Sequence, residues 1–125
     1  MKTDYDLAGR VIGAAMEVHR CLGPGFVESV YEHALAIELA ASRFIAARQK
    51  PIEVQYKEQC VGNFVADLVV DQTLIIELKA FKTILTIHEV QLVNYLTATN
   101  LEEGVLLNFG SESLQFKKKF RKAKQ

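Results

Sequence analysis

Apolar residues near the start of the chain recur every three or four positions. Ile12, Ala15, Met16, His19 and Leu22 share one side of a helical repeat, which predicts a helix over Asp4–Cys21. Leu22-Gly23-Pro24-Gly25 must end it, because a proline and two glycines favour a turn. A second stripe, Val27, Val30, Tyr31, Ala34, Leu35 and Leu39, predicts a helix from Phe26 to Phe44, and Pro51 marks the next boundary. Ile52–Val70 then reads as two strands with a turn near Cys60-Val61-Gly62, the second strand being Asn63–Val70. Asp71-Gln72 is short enough for a hairpin turn into a third strand, Thr73–Ala80. Phe81–Thr86 reads as a crossover loop, Ile87–Thr99 as a third helix and Asn100–Gly104 as a turn. Val105–Phe109 is short, apolar and bounded by glycines, as a buried strand is, and Leu114–Phe120 closes the chain as an edge strand.

The order α-α-β-β-β-α-β-β implies an α/β domain with a mixed sheet against helices. At 125 residues the chain is expected to be one domain over residues 1–125, with a basic C-terminal tail at 117–125. Charge interrupts every apolar stretch well before about 18 residues, so no membrane span is expected. Met1–Asp6 lacks the apolar core of a signal peptide, which points to the cytoplasm, where Cys21 and Cys60 would be free thiols. Net charge is zero but uneven: Lys117, Lys118, Lys119, Arg121, Lys122 and Lys124 hold six of the fifteen basic residues with no acid among them. Such a tail either contacts phosphates or is a solvated terminus; Lys117, Lys118, Lys119 and Arg121 are the candidate nucleic-acid contacts.

Asp67 and Glu77-Leu78-Lys79 fall within the second and third strands. Glu77 and Lys79 share one strand face, about 7 Å apart along the chain. Asp67 is expected to point the same way as Val65 and Val69. Spacing alone is also met by a surface salt bridge, Glu77 to Lys79 or Asp67 to Lys79. The leucine- and valine-rich surroundings weigh the other way, since bare charges in a core strand are costly unless they pair or hold a cation. Paired carboxylates suit a hard divalent ion, and a nearby lysine suits an anionic substrate. His19, His33 and His88 have no metal-ligand spacing; His19 reads as a packed residue, His88 as a helix cap or a neighbour of the site.

Gly25-Phe26-Val27-Glu28-Ser29-Val30-Tyr31 resembles the signature of the GxxExxY proteins. The resemblance extends through Val18-His19-Arg20, Asp67, Glu77-Leu78-Lys79, Gln91-Leu92-Val93-Asn94-Tyr95-Leu96 and Leu107-Asn108-Phe109-Gly110. That group is placed in the PD-(D/E)XK nuclease superfamily. It implies a restriction-endonuclease-like αβββαβ core, here with an extra N-terminal helix. By resemblance, Asp67 and Glu77 are metal-binding carboxylates, the Leu78 carbonyl a further ligand, and Glu28 an acid completing the shell. Lys79 resembles the lysine that acts on water and phosphate. Gln91 and Tyr95 resemble the Q-x-x-x-Y element of RecB-type nucleases, with Gln91 on a phosphate oxygen or ligated water and Tyr95 on the nucleic acid. Ala66 stands where the motif name has proline. The implied activity is Mg²⁺- or Mn²⁺-dependent hydrolysis of phosphodiester bonds in DNA, with homodimers common in the fold. The alternative is a catalytically silent module of the same fold that binds nucleic acid or protein.

Overall fold

The computed structural model describes residues 6–122. Helix α1 spans Leu7–Leu22, and its N-cap Asp6 accepts a hydrogen bond from the Gly9 N–H at 2.8 Å. Helix α2 spans Glu28–Ala41. The turn between them depends on Gly25, whose φ of 114° is open to glycine and poorly tolerated by other residues. Tyr31 fastens this turn from inside: its hydroxyl donates to the Gly23 carbonyl at 2.6 Å and accepts from the Phe26 N–H at 3.1 Å. Its buried ring stacks on Phe109 at 4.6 Å. Helix α2 is therefore shorter than the predicted Phe26–Phe44, since Phe26 and Val27 belong to the turn and Arg43, at φ 68°, ends the other side. Met16 and Val27 lie outside the buried stripes, at 48% and 67% exposure. The expected start of the first helix at Asp4 lies outside the described residues.

Five strands follow: β1 (Ala46–Tyr56), β2 (Gln59–Val70), β3 (Leu74–Lys79), β4 (Glu103–Asn108) and β5 (Gln115–Phe120), with helix α3 (Thr86–Thr99) between β3 and β4. They form one sheet in chain order, with β3–β4 parallel and the other pairs antiparallel. Pro51 is not a boundary. It lies inside β1, opposite Val65, as an edge strand permits because an outward position needs no N–H. The first hairpin turn falls at Lys57-Glu58 (φ 50° and 68°), not at Cys60–Gly62, which continue the strand. The second is where expected: Asp71 and Gln72 take φ 51° and 61°, and Asp71 accepts from the Ile45 N–H at 2.9 Å.

Helices α1 and α2 cover one face of the sheet through Val11, Ala15, Tyr31, Leu35, Leu68, Leu78 and Phe109, while α3 covers the other through Leu92, Leu96, Ile75 and Leu106. Strand β2 changes sides within this sandwich. Ala66 packs on the α3 side and Phe64 stacks on Tyr95 of α3, yet Leu68 and Val70 pack toward α1 and α2, with Val69 again toward α3. The break in alternation centres on Asp67. Gln49, across from it between the pairs Arg48–Leu68 and Lys50–Ala66, lies in the left-handed region at φ 52°. Asp67 therefore cannot share a direction with both Val65 and Val69, as simple alternation predicted.

Candidate active site

The β2–β3 ladder consists of three pairs, Val70–Leu74, Val69–Ile75 and Leu68–Ile76. Beyond them the strands separate, and backbone N–H groups there need other acceptors. Two carboxylates supply them reciprocally. Glu77 Oε2 accepts from the Asp67 N–H at 3.0 Å, and Asp67 Oδ2 accepts from the Leu78 N–H at 2.8 Å. Glu77 is 8% exposed, and burial first, then the Asp67 charge, push its pKa up to about 8 against the pull of the Asp67 N–H and Lys79.

Other predicted residues approach this split from both faces. Glu28, in the first turn of α2, has its pKa raised by burial, lowered by Lys79 and raised by Asp67, with the Ala80 backbone also holding it down. Tyr95 on α3 has its phenol pKa raised by burial and then by Glu77 and Asp67. Its ring stacks on Phe64 at 3.7 Å. His88 combines the two roles expected of it. Its Nδ1 accepts from the Leu85 N–H at 3.3 Å, capping α3, while burial and Lys79 lower its pKa; Phe81 stacks on its ring at 5.1 Å. Gln91 is exposed, one turn before Tyr95. Lys79 makes no salt bridge within 4.0 Å among the described residues, so neither surface pair with Glu77 or Asp67 forms.

The basic tail is placed differently. As far as Phe120 it is strand β5, and it runs away from the split: the row Lys79–Asn108–Gln115 lies at one end, Leu74–Glu103–Phe120 at the other. Lys119 pairs with Glu89 at 3.1 Å and Arg121 with Glu102. Lys118, opposite Val105, lies on the α1/α2 side of the sheet. Lys117, in the row of Leu106 and Glu77, is the member of this group nearest in register to the carboxylates.

Among the described residues no three His, Cys, Asp or Glu side chains converge closely enough to hold a metal ion. The donor set still fits a hard divalent cation: two adjacent carboxylates, one raised in pKa partly by the other, beside the main-chain oxygen of Leu78. Glu28 adjoins them without completing a three-carboxylate cluster.

Residues 5–122 match the PD-(D/E)XK nuclease superfamily. The chain belongs to this superfamily. The crystal structure of SSO0001 superposes with a TM-score of 0.62 at 17% identity, covering 77% of this chain and 50% of that one. The chain thus spans about half the length of that protein, and the likeness shows the shared fold. An alkaline exonuclease from Laribacter hongkongensis, LHK-Exo, aligns at TM-score 0.47 and 12% identity over 94% of this chain and 72% of its own. No curated protein matches. No helix among the described residues is long and apolar enough to cross a membrane.

Residues outside the predicted site set also shape the strands around this split. Buried Glu32 on α2 accepts from Arg48 Nε at 3.1 Å and Gln49 Nε2 at 2.8 Å, fixing β1 where β2 changes sides. The one signal for it, an acid in an apolar helical stripe, was masked by Glu28 four residues earlier. Phe64 and Phe81 gave no signal beyond ordinary hydrophobicity. Asn108 did give one, a lone amide in an apolar strand.

Proposed function

We propose that this protein is a metal-dependent nuclease of the GxxExxY group that hydrolyses phosphodiester bonds in DNA. One observation carries the reading: Asp67 and Glu77 meet where two core strands part, next to a lysine without a salt bridge among the described residues. Superfamily membership supports it. Asp67, Glu77 and the Leu78 carbonyl would hold Mg²⁺ or Mn²⁺, with Glu28 reached through ligated water. A bound divalent ion supplies an acidified water and offsets charge on the phosphate. Lys79 donates to a phosphate oxygen or orients the attacking water, and its positive charge favours the transition state over the ground state. Gln91 would take a neighbouring phosphate oxygen, and Tyr95 would orient the strand from its stack on Phe64.

The test is incubation of purified protein with linear and circular DNA in Mg²⁺ or Mn²⁺, beside EDTA and Lys79→Ala controls. Cleavage lost in both controls supports the reading. Cleavage that survives Lys79→Ala rejects the mechanism, and no cleavage by wild type with either ion favours a silent module.

A further inference from the structure

The segment Leu107-Asn108-Phe109-Gly110 holds the backbone on the far side of Lys79. Asn108 is fully buried in an otherwise apolar strand, yet its amide makes four hydrogen bonds, two of them to Phe81 just beyond β3. Its Oδ1 accepts from the Phe81 N–H at 2.9 Å and the Gly110 N–H at 3.2 Å. Its Nδ2 donates to the Phe81 carbonyl at 2.9 Å and to Gln115 Oε1 at 2.9 Å. Gln115 Oε1 accepts in turn from the Ile84 N–H at 3.2 Å, and the Phe109 N–H donates to the Lys79 carbonyl at 2.8 Å. Gly110 lies so close that a Cβ there would sit 2.2 Å from the Phe81 carbonyl oxygen, 2.5 Å from its nitrogen and 2.6 Å from the Ala80 carbonyl carbon.

We propose that Asn108 and Gly110 are positioning residues for Lys79, clamping Lys79–Phe81 so that the ammonium is delivered to a phosphate at the Asp67–Glu77 split; this rests on the nuclease reading above. Lys79 is the last residue of β3 and has no salt bridge among the described residues to fix its side chain. Its reach is therefore set by where its backbone leaves the strand. A leucine would fill the Asn108 site as well and avoid burying an amide, so the core alone does not account for it. The amide instead pairs both backbone groups of Phe81, and through Gln115 it extends to the loop that leads into α3 and His88.

The His88 imidazole reports Lys79's location without any substrate. In the wild-type background Lys79→Ala should raise the His88 pKa, read by NMR titration, because the Lys79 charge holds it down. With Asn108→Ala or Gly110→Ala that increment should fall below about half, since a displaced charge acts more weakly. The Phe81 amide should exchange at least about tenfold faster while that of Ile75 keeps its protection. In cleavage, kcat should drop by about tenfold or more with KM nearly unchanged, as misplacement of a transition-state group requires. A full increment and normal Phe81 protection in folded variants would overturn the proposal. Should both variants fail to fold, Gln115→Ala on the edge strand removes one of the two acceptors of Asn108 Nδ2 and the acceptor of the Ile84 N–H; a smaller loss in the same direction supports the clamp, and none rejects it. If wild type cleaves no DNA, the nuclease reading fails by itself, and the His88 increment still decides the positioning.

Discussion

Asp67 and Glu77 each accept a backbone N–H from the other's strand, Asp67 at 2.8 Å and Glu77 at 3.0 Å, so the two carboxyl groups replace one step of the sheet ladder. Asp67→Ala leaves the Leu78 N–H without an acceptor and should cost about 1–3 kcal/mol. Asp67→Asn keeps an acceptor oxygen and should cost less than about half of that, while abolishing cleavage because a charge proposed to hold the metal is gone. Urea denaturation beside a cleavage assay separates the two. Equal destabilisation by Ala and Asn would remove the ladder role assigned to this carboxylate.

The raised Glu77 pKa has a stability consequence with a definite sign. The folded state keeps a proton up to about pH 8, whereas the unfolded chain releases it near 4.5. Between those values the folded state binds more protons, so stability in EDTA should fall as pH rises through this window. The slope approaches about 1.4 kcal/mol per pH unit at most, and Glu77→Gln should flatten it. Thermal melts of both proteins across this range test it. Adding Mn²⁺ near pH 8 should raise the melting temperature of wild type and leave Glu77→Gln nearly unmoved.

Lys79→Ala should lower kcat by about 10²–10³, the usual worth of one preorganised group facing developing negative charge. Stability should change by less than about 0.5 kcal/mol, because no salt bridge is lost among the described residues. A large loss of stability instead would assign Lys79 to the fold and leave the chemistry without its cation.

Element order was legible because each period is sustained: the stripe of Tyr31 and Leu35 and the run Leu74–Ile76 leave little choice. The errors share a cause. Pro51 and Gly62 are local breakers, and tertiary pairing overrode them: an edge strand accommodates the proline, and a hairpin held from Ala46 to Val70 absorbs the glycine. Asp67 and Glu77 stood out as acids in core strands, but their hydrogen bonds to each other's backbone did not. Those depend on β2 changing sides opposite Gln49, and nothing in a period-two pattern signals a left-handed glutamine. The edge strand over Leu114–Phe120 was legible, but composition cannot register that Glu89 and Glu102 lie beside Lys119 and Arg121.

Tyr31→Phe tests whether the tyrosine that fastens the α1–α2 turn acts through Glu28. The stack on Phe109 survives, but Gly23 and Phe26 lose their hydrogen bonds to the hydroxyl. The expected cost is about 1–2 kcal/mol in denaturant unfolding. A looser turn also frees the start of α2, so Mn²⁺ affinity measured by calorimetry should weaken by several-fold. Unchanged affinity would confine Tyr31 to packing.

The basic strand should contact DNA unevenly. Lys117 lies in the row of Glu77 and should contribute a phosphate contact, whereas Lys119 and Arg121 are already paired with Glu89 and Glu102. In catalytically silenced protein carrying Glu77→Gln, Lys117→Ala should weaken DNA binding and reduce the salt dependence by about one phosphate contact. Lys119→Ala should leave that slope nearly unchanged, since a lysine neutralised by a carboxylate releases few counterions on binding. Fluorescence anisotropy with a short duplex across a salt series measures both. A larger slope change for Lys119 than for Lys117 would place the DNA along the α3–β5 end of the sheet instead of across the carboxylate split.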